Sequence, residues 1–297
     1  MEKYDVIIVG AGTAGLTAAI YALRAGKTVA VFEKNTYGGQ IVNTPDIENY
    51  PGLKHVSGFE FATALYEQAT ELGAKVLFEE VTRIEDNGDI KAVTTSGGSY
   101  EATSVILATG AKNRPLGIDR EEELIGKGIS YCATCDGMFF RNKVVAVNGG
   151  GNTALEDATF LANFCSKVYV IHRRDEFRGD VSEVNKLKEK DNVEFVLNCT
   201  VTELIGDEKL SGVKVLDKIT GEEKTLEVEG LFIAIGQMPE NSLFANVVNL
   251  DDKGYIIADE SCTTKTAGVY VAGDCRTKTL RQLTTAASDG AIAASLC

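Results

Sequence analysis

An α/β fold with two Rossmann-like dinucleotide-binding domains, the second inserted into the first, is predicted because one strand–helix–strand unit occurs twice in this sequence. The apolar strand 6–9 leads into a glycine-rich turn at 10–15, and the strand 144–148 leads into a similar turn at 149–154. Parallel strands joined in this way need a helical crossover. The predicted helices are the alanine-rich stretches 16–25 and 155–164, and the predicted strands after them are 28–32 and 168–171.

The inserted position of the second unit follows from a further repeat. The apolar stretch 104–110 resembles 230–236, so each of these strands is expected to close one nucleotide-binding unit. The chain then continues into another strand at 269–272 and a last helix at about 284–296. The expected domains are 1–114 plus 239–297 and 115–238, joined by crossings at 111–118 and 236–241 that contain glycine and proline and are typical of linkers.

The composition narrows the class of protein. The 297 residues allow two ordinary domains, and 44% apolar and 25% charged residues are typical of a soluble globular protein. A formal net charge of -13 gives no basic footprint for nucleic acid and disfavours an anionic membrane surface. No apolar run approaches the ~20 residues of a membrane helix. Since no signal peptide precedes the first strand, a cytoplasmic protein is expected.

The first glycine motif, Gly10-x-Gly12-x-x-Gly15, follows a strand and opens a helix. Its glycines suit a tight turn, a close backbone approach to a pyrophosphate and close helix–strand packing, with the helix N-terminus facing the phosphates. Glu33 ends the next strand, where a carboxylate accepts hydrogen bonds from a ribose diol. An isolated glycine motif is often a plain turn, but here the flanking elements agree. Nothing local distinguishes FAD from NAD.

The second glycine motif, Gly149-x-Gly151-x-x-Ala154, makes the same turn without a carboxylate at the ribose position. Basic residues follow the next strand instead, and arginine forks suit a ribose 2′-phosphate. NADP is therefore the favoured ligand. The alternative is a solvated basic turn paired with Asp175 and Glu176. The residues of this cluster are His172, Arg173, Arg174 and Arg178.

A single CxxC pair, Cys132 and Cys135, is the predicted chemical centre. Two thiols at this spacing can close a disulfide, and one low-pKa thiolate can attack a partner disulfide. The neighbouring Asp136 offers a carboxyl group for proton transfer. A zinc site is disfavoured because zinc needs four ligands, and the sequence has no second CxxC and only two histidines. Two inert buried thiols are the other alternative.

The chain resembles the bacterial low-molecular-weight thioredoxin reductases over essentially its whole length. Several independent motifs carry the resemblance in the order that the family shows. They are 132–137 (CATCDG), the turn 149–154, the cluster 172–175 (HRRD), 272–274 (AGD), 280–282 (LRQ) and 284–287 (TTAA).

The resemblance implies FAD in the first domain and NADPH in the second. The residues that match FAD-binding positions are Gly10, Gly12, Thr13, Ala14, Gly15, Glu33, Gly39, Gln40, Asn49, Gly273, Asp274, Arg281, Gln282 and Leu283. Those expected to bind NADPH are Gly149, Gly151, Asn152, Thr153, Ala154, His172, Arg173, Arg174 and Arg178.

The resemblance also implies roles for the CxxC segment: Cys135 faces the flavin, Cys132 attacks thioredoxin, and Asp136 is the acid–base group. It implies a homodimer. No metal is expected, because the ligands of a zinc site are missing. Two residues depart from the usual pattern, namely Asn148 in place of an apolar residue and Met138 in place of an aromatic one. The segment around Pro239 departs as well. A same-fold thioredoxin reductase driven by ferredoxin or another non-NADPH donor, and a redox sensor without turnover, are the alternatives.

Overall fold

The computed structural model describes residues 2–44 and 46–297 and divides into two compact units. Unit 1 contains the chain up to Lys112 together with Met238–Cys297, and unit 2 is Asn113–Gln237. The boundaries expected from the sequence, after residues 114 and 238, fall two residues and one residue beyond these. Unit 1 contains a mixed sheet, in which the strand Ile90–Thr95 pairs antiparallel with both of its neighbours, and unit 2 contains a parallel one; both have helices, so the predicted α/β class is confirmed.

Unit 1 is built around β1, whose last four residues, 6–9, are fully or almost fully buried. A parallel strand covered on both faces needs such a continuous apolar run. The first part of unit 1 ends at the crossing strand β7. In chain order it forms β1 (Glu2–Val9), α1 (Thr13–Arg24), β2 (Val29–Phe32), α2 (Gly58–Glu71), β3 (Lys75–Leu77), β4 (Val81–Asn87), β5 (Ile90–Thr95), β6 (Ser99–Leu107) and β7 (Lys112–Asn113).

Unit 2 also contains parallel strands and has a separate antiparallel sheet. Its elements are β8 (Ile129–Ser130), α3 (Ala133–Asp136), β9 (Val144–Gly149), α4 (Asn152–Leu161), β10 (Lys167–Ile171), α5 (Val181–Lys188), β11 (Val193–Val196), β12 (Cys199–Ile205), β13 (Gly212–Asp217), β14 (Glu223–Leu226), β15 (Gly230–Ala234) and β16 (Gln237–Met238). The parallel sheet has the order β11-β10-β9-β15-β8, and β12, β13 and β14 form an antiparallel sheet.

The chain completes unit 1 with β17 (Val269–Val271) and α6 (Leu283–Ser295). The sheet of unit 1 has the order β3-β2-β1-β6-β5-β4, and β17 pairs in parallel with the C-terminal part of β6. The crossings expected to be linkers contain β7 and β16, which pair as a short two-stranded ladder. Among the described residues, no helix has the length and apolar character needed to cross a membrane.

Candidate active site

The first glycine turn in unit 1 packs α1 closely against the end of β1. A Cβ atom on Gly15 would lie 1.9 Å from the Gly10 carbonyl oxygen, so close packing of α1 on β1 requires glycine there. α1 begins after Gly12 with no side-chain cap, which leaves its first-turn amides without a side-chain acceptor. Thr13 and Ala14 form that first turn. Such a helix N-terminus fits a pyrophosphate.

Glu33, directly after β2, is held against this turn. Its Oε2 accepts a hydrogen bond from the Ala11 N–H at 2.9 Å, and its Oε1 accepts one from the Asn35 N–H at 3.0 Å. A carboxylate oxygen has capacity for more than one donor. A second loop, Gly38–Gln40, approaches the same turn, since Gly38 donates to the Ala11 carbonyl at 2.8 Å. Glu33 therefore lies beside the turn, and its carboxylate oxygens can accept further donors, such as the hydroxyl groups of a ribose.

The segment after β17 carries an unsatisfied carboxylate. Asp274 Oδ1 is buried and has no hydrogen-bond partner among the described residues, and burial raises the pKa of this carboxyl group. Arg281 Nε donates to the Asp274 carbonyl oxygen at 3.3 Å. Asn49 Nδ2 donates to Gln282 Oε1 at 3.1 Å, which brings two of the predicted site residues together. A buried carboxylate oxygen without a donor fits a ligand hydroxyl.

A buried ion-pair cluster, which the sequence did not predict, supports this segment. The side chains of Arg276, Lys278 and Asp289 are 1%, 3% and 2% exposed. Asp289 Oδ2 accepts hydrogen bonds from Arg276 Nε at 2.8 Å, Lys278 Nζ at 2.8 Å and the Gly273 N–H at 2.9 Å. Burial alone would raise the pKa of Asp289, but these donors outweigh it and lower the pKa. One feature of the sequence could have revealed this cluster: Asp289 is the single acidic residue in the helix predicted at 284–296, which consists mostly of small residues.

The second glycine turn, in unit 2, packs on a buried histidine. The His172 ring is 4% exposed, stacks on Phe177 with ring centroids 5.2 Å apart, and contacts the Glu176 carbonyl oxygen through Nε2 at 3.1 Å. A Cβ atom on Gly150 would lie 2.1 Å from this ring. Burial, followed by the nearby arginines, lowers the pKa of His172. The structure therefore places His172 beneath the turn. Gly150, which lies between the two glycines of the motif, must be glycine because a Cβ atom there would overlap the His172 ring.

The arginines lie on a loop that is tied to the same turn. Arg173, Arg174 and Arg178 are exposed, and the Arg178 N–H donates to the Gly150 carbonyl oxygen at 2.7 Å. α4 begins after Gly151 with no side-chain cap. Positive side chains beside an uncapped helix N-terminus suit a phosphate monoester and a pyrophosphate. Asn152 and Thr153, at the start of α4, are exposed, whereas Ala154 is buried.

The CxxC pair of unit 2 forms a disulfide, with its two sulfur atoms 2.07 Å apart. Cys132 is the N-cap residue of α3, and its Sγ lies 3.4 Å from the Thr134 hydroxyl. Asp136 ends α3. Its Oδ2 accepts a hydrogen bond from Ser130 Oγ at 2.6 Å, while its Oδ1 is buried with no partner among the described residues. Burial raises the pKa of Asp136, although the Ser130 hydrogen bond lowers it in part, and burial thus favours the protonated form of this carboxyl group.

Two glycine turns at helix N-termini, one beside a carboxylate and one beside arginines, together with a disulfide next to a carboxyl group, define an oxidoreductase that uses dinucleotides and a disulfide. Residues 4–290 match the family described as pyridine nucleotide-disulphide oxidoreductase. The chain belongs to this family. It is a flavoprotein oxidoreductase whose cofactors are FAD and NADPH.

The individual relatives are similar to this chain over nearly its full length. It is 41% identical to a thioredoxin reductase of Listeria monocytogenes, over 98% of this chain and 91% of the relative. It is 44% identical to one of Treponema pallidum, over 98% and 95%. The crystal structure of thioredoxin reductase from Streptococcus pyogenes superposes with a TM-score of 0.94 at 42% identity and covers 99% of this chain and 96% of that chain.

Proposed function

We propose that this chain is a thioredoxin-disulfide reductase, which passes electrons from NADPH through FAD to the Cys132–Cys135 disulfide and then to thioredoxin. The observation that carries the proposal is the disulfide beside a carboxyl group, in the unit whose glycine turn is flanked by arginines. Relatives that are thioredoxin reductases, at 41% and 44% identity over 98% of this chain, support thioredoxin as the protein substrate.

FAD belongs to unit 1 in this proposal. The α1 N-terminus would hold the pyrophosphate, Glu33 the ribose diol, and Asp274, through its unpaired Oδ1, a hydroxyl of the cofactor. Bound FAD supplies two-electron transfer between a nicotinamide and a disulfide. The remaining predicted FAD-binding residues, including Gly39, Gln40, Asn49, Arg281, Gln282 and Leu283, are part of the same proposal.

NADPH belongs to unit 2. The α4 N-terminus would hold its pyrophosphate, and Arg173, Arg174 and Arg178 would bind the 2′-phosphate. His172 was expected to contact the cofactor directly, but its buried ring suggests that it supports the turn instead.

The reduced CxxC pair would reduce thioredoxin by two disulfide exchanges. The Cys132 thiolate forms a bond to one sulfur of the thioredoxin disulfide; that disulfide breaks, and its other sulfur takes a proton. The Cys135 sulfur then bonds to Cys132, the mixed disulfide breaks, and the second thioredoxin sulfur takes a proton. The electron pair and two protons lost by Cys132 and Cys135 are thereby gained by thioredoxin. Asp136 would hold and pass a proton during these steps.

Exposed apolar residues directly after the redox pair offer a surface for thioredoxin. Met138 and Phe139 are 41% and 39% exposed, whereas Phe140 packs against Phe232 with ring centroids 5.3 Å apart. Apolar side chains exposed next to a redox centre suit a protein partner. The stretch 138–140 thus combines a core residue with a docking patch.

A homodimer and a cytoplasmic location complete the proposal. A groove of about 320 Å³ on unit 1, lined by both apolar and polar side chains that include Ile20, Leu65 and Gln68, offers a surface that a second copy would cover. Sedimentation velocity should give the mass of a dimer, and a monomer at micromolar concentration would rule it out.

The five other cysteines are unpaired in the structure, as suits a reducing compartment. Cell fractionation tests this location.

Steady-state turnover tests the function. Purified protein with FAD should oxidise NADPH continuously only when thioredoxin is supplied, and Cys132→Ser and Cys135→Ser should each abolish that turnover. If reduced ferredoxin drives thioredoxin reduction and NADPH does not, the ferredoxin-driven alternative is correct. If neither donor supports repeated turnover, the chain is a redox sensor.

A further inference from the structure

Ser130 lies at the end of β8, directly before the redox segment, and its environment is fixed. The residue is 3% exposed, and β8 pairs in parallel with β15, where Ser130 is opposite Phe232. Its hydroxyl group lies at the centre of three polar contacts. Ser130 Oγ is 2.6 Å from Asp136 Oδ2, 3.0 Å from the Cys132 backbone nitrogen and 3.2 Å from the Cys132 carbonyl oxygen.

The direction of each hydrogen bond follows from the single proton of the hydroxyl group. The Cys132 N–H can only donate, so Ser130 Oγ accepts at that contact. Its own proton then has two acceptors available, Asp136 Oδ2 and the Cys132 carbonyl oxygen. The carboxyl oxygen is closer by 0.6 Å, and a donor to a charged oxygen makes the stronger bond when Asp136 is ionised. Ser130 therefore donates to Asp136 Oδ2.

We propose that Ser130 is a positioning residue for the reaction: it occupies Asp136 Oδ2 as a hydrogen-bond donor, ties that carboxyl group to the Cys132 backbone, and leaves Oδ1 as the oxygen that carries the transferable proton. Oδ1 is buried and has no hydrogen-bond partner among the residues that the structure describes, so no other group there competes for its proton. The inference rests on the proposed acid–base role of Asp136.

Proton transfer at Oδ1 changes the charge of Asp136 in each half of the exchange. When Oδ1 gives its proton to a departing thioredoxin thiolate, Asp136 becomes a carboxylate, and it becomes neutral again on taking a proton from Cys132 or Cys135. The Ser130 bond to Oδ2 is stronger in the carboxylate state. Burial raises the pKa of Asp136, and the Ser130 hydrogen bond lowers it. Ser130 thus stabilises the carboxylate form of Asp136 and offsets part of the effect of burial on its pKa.

The 3-10 helix that follows α3 and the helix α4 are among the elements that pack against α3. The 3-10 helix Gly137–Phe140 has no titratable side chain, and α4 carries Glu156 and Asp157. Neither of these carboxylates is a cause of the pKa shift of Asp136. Burial, with Glu156 beside it, raises the pKa of Asp157 to about 7. Asp157 therefore also changes its protonation when the pH is varied around neutrality. The titration that belongs to Asp136 must therefore be identified by its loss in Asp136→Asn.

The test is the pH dependence of a single turnover, in which prereduced holoenzyme is mixed with oxidised thioredoxin. In Ser130→Ala, the apparent pKa assigned to Asp136 should rise by about one to two pH units, because a hydrogen bond to the charged form is lost. Ser130→Thr, which retains the hydroxyl group, should restore it. Ser104→Ala, a buried serine on β6, is the matched control and should leave the profile unchanged.

A double-mutant comparison separates this inference from the function on which it rests. With Asp136→Asn present, adding Ser130→Ala should change the rate less than about twofold, since Ser130 acts through Asp136. Independent, multiplicative losses would overturn the positioning role, as would an unshifted profile in Ser130→Ala. If Asp136→Asn itself leaves rate and profile unchanged, the acid–base role of Asp136 is wrong and the inference fails with it.

If Ser130→Ala does not fold, an infrared measurement on the unsubstituted enzyme tests the Ser130–Asp136 hydrogen bond instead. The infrared carbonyl band of protonated Asp136, identified by its loss in Asp136→Asn, should have the frequency of an acid whose carbonyl oxygen accepts one hydrogen bond. A band at the frequency of a free carboxylic acid would overturn the inference.

Discussion

Replacement of Asp289 by asparagine should destabilise unit 1 and weaken FAD binding together. Asp289 binds Arg276, Lys278 and the Gly273 backbone amide, and the three side chains are almost completely buried. Asparagine keeps the shape and one acceptor oxygen but removes the charge that balances two buried cations. Breaking a buried ion pair by removing one partner costs about 3–5 kcal/mol. At about 2–4 °C per kcal/mol, the melting temperature should fall by roughly 6–20 °C.

The matched control is Glu260→Gln. Glu260 binds the same Arg276 guanidinium at 2.9 Å, but its side chain is 83% exposed, so its removal should cost less than about 1 kcal/mol. Thermal unfolding of the apoprotein measures the stability, and fluorescence titration with FAD measures the affinity. Equal melting temperatures for Asp289→Asn and Glu260→Gln, or unchanged FAD affinity in Asp289→Asn, would refute the reasoning.

The same carboxylate gives a pH dependence with a defined sign. The Asp289 pKa in the folded protein is lowered from 3.8, because Arg276, Lys278 and the Gly273 amide together outweigh burial. The stabilisation that Asp289 contributes is therefore complete at pH values above its unfolded-state pKa. It is lost as the pH falls through the lower folded-state pKa. In Asp289→Asn, this part of the acid destabilisation should be missing.

Two further substitutions test the ligand and partner assignments. Changing Arg173 and Arg174 to alanine should weaken NADPH binding at least about tenfold, with NADH use unchanged, since each charge-assisted contact is worth about 1.5–3 kcal/mol. Lys186→Ala, a cation on α5 paired with Glu183, is its control, and an equal loss for both coenzymes would contradict the assignment. Phe139→Ala should raise the KM for thioredoxin about tenfold and leave flavin reduction by NADPH unchanged. Ile219→Ala, also an exposed apolar residue of unit 2, should change neither, and a normal KM in Phe139→Ala would exclude the docking patch.

The sequence predicted the two strand–turn–helix units because their signals are local. The β-branched strands, glycine spacing and alanine-rich helices lie within about thirty residues of one another in each unit. The helix starts were misplaced by three residues, since α1 begins at Thr13 rather than 16 and α4 at Asn152 rather than 155. In both units the last residues of the glycine motif already form the first helical turn, so the motif and the helix overlap.

The sequence did not predict which residues pack against the site residues and hold them in position. Arg276 and Asp289 are thirteen residues apart and meet only because α6 packs beside the loop after β17. His172 was assigned to the phosphate cluster from its neighbours, but tertiary packing buries it under Gly150. Ser130 contacts Asp136 through the turn that Cys132 begins. Such contacts depend on side-chain direction and packing, which periodicity does not encode.

Anaerobic titration with NADPH tests the central claim, that electrons pass from NADPH through FAD to the Cys132–Cys135 disulfide. Full reduction should consume two equivalents of NADPH per FAD, one for the flavin and one for the disulfide, and two new thiols should appear. The Cys132→Ser, Cys135→Ser double variant should consume only one and form no new thiols. Reduction of the unsubstituted enzyme that stops after one equivalent, with the disulfide intact and the flavin reduced, would show that electrons do not pass from the flavin to the Cys132–Cys135 disulfide.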